Sequence, residues 1–115
     1  MKPIYIDTLE LFEIKKATDK KLRNYQILAL IGDEKDIREC IRKNRDFANL
    51  YEYFLINGKT ILIVPPPKSI AEQESSLADP TERVIRFCKK LIRKQKESGN
   101  LKLPLYVLLI RVFNC

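Results

Sequence analysis

Arg86, Lys89, Lys90, Arg93 and Lys96 recur at three- and four-residue spacing along one stretch of the chain, flanked by Arg83 and Lys94. On a helix that spacing gathers cationic groups onto one side. From Glu82 to Glu97 the stretch holds seven basic residues against two acidic ones, +5 of the chain's +7. The chemistry open to such a face is electrostatic: each Lys or Arg that meets a phosphate displaces a counterion. No aromatic residue interleaves with the basic side, so base readout from it is not expected. A second cluster, Lys15, Lys16, Lys20, Lys21 and Arg23, is offset only by Asp19. The expectation is a nucleic-acid backbone, DNA or RNA, bound with low sequence specificity by Arg86, Lys89, Lys90, Arg93 and Lys96. Lys20, Lys21 and Arg23 would support them. The plain alternative is a solvated face that keeps the protein soluble.

Catalytic chemistry finds little footing. The chain has no histidine, which excludes Ser-His-Asp and Cys-His catalysis, histidine general bases and histidine-containing zinc sites. Its three cysteines lack CxxC spacing and make no structural zinc site. Three scattered glycines cannot build a phosphate cradle. Asp33, Glu34 and Asp36 could hold a divalent metal at the end of a strand, as in some ferredoxin-like nucleases, but acidic residues at a helix start are explained by capping and the dipole. The protein is therefore read as non-enzymatic, without cofactor or metal.

These side chains need elements to position them. Asp79-Pro80-Thr81-Glu82 carries an N-cap, a first-turn proline and a capping-box glutamate, and predicts a helix running to about Ser98, where Gly99 stops it. Val84, Ile85, Cys88, Leu91 and Ile92 form its apolar stripe. Tyr25–Ile31 reads as a strand ended by Gly32, and Asp33 caps a helix to about Asn44 with Ile37, Cys40 and Ile41 inward. Glu34 with Arg38, and Glu39 with Lys43, are spaced for ion pairs along it. Asn57-Gly58 between Tyr51–Ile56 and Lys59–Val64 predicts a type I′ hairpin. Pro65-Pro66-Pro67 ends that hairpin, and 68–78 reads as a crossover loop. Leu105–Phe113 is apolar on both faces except at Arg111, as in a buried strand. Arg111 should reach an edge or pair with Glu10 or Glu52. The N-terminal stretch reads as a strand through about Ile14.

Strand, helix, hairpin, helix, strand is the βαββαβ order of a ferredoxin-like α+β sandwich. One domain of 115 residues is expected, with an antiparallel sheet and both helices on one face. The N-terminal strand would add outside Leu105–Phe113. Such a sheet leaves its other face uncovered, with Tyr51, Tyr53, Leu55, Leu62 and Val64 on it. That patch supplies the alternative function: a protein-protein interaction module, an inhibitor or assembly factor, docking a protein partner or a second copy of itself as a homodimer. The longest apolar run is too short for a bilayer. Odd, scattered cysteines point to a reducing compartment, hence a cytoplasmic protein. Cys40 and Cys88 are expected as buried thiols and Cys115 as a free one.

Overall fold

The computed structural model describes residues 3–66, 79–96 and 103–113. Along the chain lie β1 (Ile4–Thr8), a 3-10 segment (Leu11–Lys16), α1 (Asp19–Leu22), β2 (Ile27–Ile31), α2 (Glu34–Lys43), α3 (Arg45–Ile56), β3 (Thr60–Val64), α4 (Pro80–Lys96) and β4 (Leu105–Arg111). The expected crossover loop, the Gly99 stop and the Cys115 thiol lie outside the described residues.

The mixture of helices and strands is the α+β one expected, but the antiparallel ferredoxin-like sheet is overturned. All four strands run parallel, in the order β1-β4-β2-β3. The cause sits in residues 45–56, of which Tyr51–Ile56 were expected to be the first strand of a hairpin. They form one continuous helix. Asn44 closes α2 and opens α3, its side-chain oxygen accepting from the Phe47 N–H at 3.1 Å. Phe47, Leu50 and Phe54 then recur at helical spacing and are all buried. Asn57-Gly58 is a helix stop, not a hairpin turn. Gly58 has φ +64°; its N–H donates to the Leu55 carbonyl at 3.1 Å, and that of Lys59 to Phe54 at 3.0 Å. That pair of bonds is the Schellman ending, which wants the same left-handed glycine as a type I′ turn. With a helix between β2 and β3, the two strands are joined by a crossover and pair in parallel.

Helices cover both faces of the sheet. On one side Leu28, Leu30, Leu108 and Ile110 pack with Ile37 and Cys40 of α2, Phe47, Leu50 and Phe54 of α3, and Ile14 and Leu22 from the 11–22 region. On the other, Ile27, Ala29, Ile31, Val107 and Leu109 pack with Val84 and Cys88 of α4, joined by Phe87, Leu91 and Ile92. Every residue of β2 is buried, as befits a central strand between two helical layers. β1 adds outside β4, as expected, with Ile4 opposite Leu105; it ends at Thr8, and 11–16 turns into the 3-10 segment. Gly32, at the exit of β2, lies against β4: a Cβ there would sit 2.6 Å from the Val112 carbonyl oxygen.

Candidate functional site

α4 is built as its sequence implied. Asp79 accepts the Thr81 N–H at 3.0 Å through its carboxylate, capping the first turn. Val84 and Cys88 are fully buried, and Phe87 takes a place in the core cluster that the periodicity had given to Ile85. This fixes the helix's rotation. Arg86, Lys89, Lys90, Arg93 and Lys94 are consequently all exposed, and none forms an ion pair with another described residue. Arg83 turns back, its Nη1 donating to the Pro65 carbonyl at 2.9 Å, so it ties the helix start to the end of β3. The side chain of Lys96 lies outside the described residues.

The supporting cluster sits elsewhere. Lys15 and Lys16 end the 3-10 segment, and Lys20 and Lys21 lie on α1. Ile14 and Leu22, which anchor these segments, belong to the core on the α2/α3 side of the sheet, whereas α4 packs on the opposite side. Lys20 and Lys21 are therefore separated from the α4 face by the sheet. Arg23 comes nearest: with Leu91 and Gln95 of α4 it lines a cleft of about 450 Å³ at the amino ends of the strands.

The residues expected on an open apolar sheet face are dispersed, because no such face exists. Tyr51, Tyr53 and Leu55 lie on α3, and Leu62 and Val64 on β3. Val64 is buried, Tyr51, Tyr53 and Leu62 half-buried, and Leu55 exposed. Arg111 is exposed and pairs with neither Glu10 nor Glu52. Asp33 stands at the N-cap of α2 without a side-chain capping bond, and no group of three or more metal-binding side chains occurs among the described residues.

Two polar arrangements were not legible in the sequence. The Lys59 ammonium donates to the carbonyls of Leu22, Arg23 and Tyr25 at 3.2, 3.1 and 2.6 Å, closing the end of α1 onto the start of β3. Burial pushes its pKa below the ordinary lysine value. Tyr25, almost wholly buried, donates its hydroxyl to the Asp7 carboxylate at 2.6 Å. Burial chiefly, then that hydrogen bond and the Asp7 charge, lift the phenol to about 12. Both contacts join residues far apart in sequence, so only the strand order brings them together.

Cys88 is the buried thiol expected, and burial raises its pKa, which keeps it unreactive. Cys40 is disulfide-bonded, not a thiol. The argument from unpaired cysteines to a reducing compartment therefore loses its footing. No helix among the described residues is long and apolar enough to cross a membrane.

Comparison with protein-family models, with curated proteins and with solved structures finds no match.

Proposed function

We propose that this protein binds the phosphate backbone of a nucleic acid through the exposed side of α4, without strong sequence preference. One observation carries the reading: Arg86, Lys89, Lys90, Arg93 and Lys94 stand exposed together and none is ion-paired among the described residues. A row of unpaired cations on a rigid helix meets phosphates without first breaking internal ion pairs. The aromatic residue of this helix, Phe87, faces the core, so the surface offers charge and no stacking platform, and a backbone-directed contact follows. Lys20 and Lys21 leave the site on geometric grounds; Arg23 stays as a contact at the amino-end cleft.

Fluorescence anisotropy with single- and double-stranded DNA and RNA across a salt series tests this. The expected result is affinity that falls steeply with salt, with a slope reporting the number of phosphates met. Reversing two charges, Lys90→Glu with Arg93→Glu, should weaken binding by about 100-fold or more and flatten the slope by about two. No binding by the wild type at low salt, or unchanged affinity in the double variant, would overturn the reading.

A further inference from the structure

β3 is an edge strand whose outer side is short, apolar and closed off at both ends. The Thr60 N–H donates to Gln26 at 3.2 Å, and the Val64 carbonyl accepts from Gly32 at 3.0 Å. In a parallel ladder alternate residues bond to the same neighbour, so residues 60, 62 and 64 turn their backbone groups to β2. Ile61 and Ile63 therefore point theirs outward, where no strand of the described residues lies. The next outward positions offer no free donor. The Lys59 N–H bonds the Phe54 carbonyl at 3.0 Å. Pro65 has no N–H, and its carbonyl accepts from Arg83.

The free edge is thus the donors and acceptors of Ile61 and Ile63, arranged symmetrically about Leu62. We infer that its occupant is a second copy of this chain, with β3 pairing antiparallel to β3 about a two-fold axis through Leu62. In that register Ile61 of each copy lies opposite Ile63 of the other. Residues so placed exchange both of their N–H···O bonds, which satisfies the outward N–H and carbonyl of Ile61 and Ile63 alike. Strands of another length or phase would not close it so completely. The side chains agree. β3 carries no charged residue or proline within Thr60–Val64, the devices that normally blunt an edge. β1, at the other edge, carries Asp7. Ile63 is 38% exposed, and Leu55 and Ile56, which lead into β3, are 55% and 74% exposed. Antiparallel pairing brings that apolar end of one copy beside Pro65 of the other. A two-fold axis through paired edge strands stands perpendicular to the sheet, so both α4 helices come to lie on one face of the joined sheet.

Sedimentation velocity on the full chain, over a rising concentration series, tests the pairing. The wild type should sediment at twice the monomer mass. Ile63→Lys, which puts a charge on the edge, and Ile63→Pro, which deletes an outward N–H, should each raise the dimer dissociation constant at least about tenfold. Circular dichroism should stay that of the wild type. Hydrogen exchange supplies a readout independent of any variant: the Ile61 and Ile63 amides should slow as concentration rises. A wild type that is monomeric throughout, edge variants that remain fully dimeric, or fast exchange at these amides in concentrated protein would overturn it.

Discussion

α2 and α4 are both amphipathic helices laid on the same sheet, yet they use their charges in opposite ways. On α2, Arg38 meets Glu34 at 2.6 Å and Arg42 meets Glu39 at 2.8 Å. The Arg42 hydrogen bond holds the Glu39 carboxyl below its ordinary pKa. Glu34 and Asp36 stand at its start, and Arg42 and Lys43 at its end, as the helix dipole favours. Its charge is consumed within the helix. α4 has Glu82 in its first turn and then a succession of cations with no ion pair among the described residues. The comparison separates two meanings of a charged helix: pairs that settle a surface, and a surplus left for something else. A tally of lysine and arginine along the sequence does not draw that line; the arrangement of carboxylates does.

The strongest way to break the comparison is to spend the same charge on both helices. Lys90→Glu with Arg93→Glu on α4, and Lys35→Glu with Lys43→Glu on α2, alter the net charge equally. Contact at α4 predicts a loss of about 100-fold or more from the first pair and less than about threefold from the second, because distant exposed charges are screened within about one Debye length. Equal losses would mean that the whole protein's charge, and not α4, attracts the polyanion. Anisotropy at one fixed ionic strength decides it.

The starts of the two helices differ as well. α4 begins beside β3 through a flexible arginine, Arg83, on the Pro65 carbonyl. α2 begins at a point with no slack, since a Cβ on Gly32 would meet backbone at 2.6 Å. Gly32→Ala should therefore destabilise the protein by about 1–3 kcal/mol through overpacking, whereas Arg83→Ala should cost less than about 1 kcal/mol, the worth of one exposed hydrogen bond. Chemical denaturation of both variants measures the difference. Comparable losses would mean that Val112 yields easily and that the β2 exit is not the tighter anchor.

How much of this could be read from the sequence follows the range of each signal. α4 was legible nearly to its ends, because capping residues and an apolar period of 3.6 are local. The addition of β1 beside β4 was legible from the apolar character of Leu105–Ile110. The strand direction was not. Tyr51–Ile56 is aromatic and aliphatic, and Asn57-Gly58 after it serves a hairpin and a Schellman ending equally well. What distinguishes them is Phe47, Leu50 and Phe54 at helical spacing across Tyr51, a period visible only when the window is not cut there. From that one division came both the antiparallel sheet and the open apolar face. The exposure of α4's basic side was legible because it is set by the helix's own stripe. The placement of Lys20 and Lys21 across the sheet from it was not, because which face of the sheet a segment crosses is a property of topology.

The two sides of the sheet also differ in what holds them, and this gives the smallest expected effect. The core under α4 is apolar throughout, while the α2/α3 side carries the tie from Tyr25 to Asp7. Tyr25 has its pKa raised from 10.0 to about 12 in the fold, so the folded protein holds that proton after the unfolded chain has released it. Its contribution is complete below pH 10 and is lost between pH 10 and about 12, with a slope of at most about 1.4 kcal/mol per pH unit. Tyr25→Phe removes the titrating group and keeps the ring in the core. The variant should start about 1 kcal/mol less stable at neutral pH, from the lost hydrogen bond, and then fall less steeply than the wild type through that window. Lysine ionisation is common to both proteins and cancels in the difference. Urea midpoints measured between pH 9 and 12, with pH 7 as the reference, give that difference directly. Parallel curves would place the Tyr25 phenol in contact with water and remove the polar tie from the account of this face.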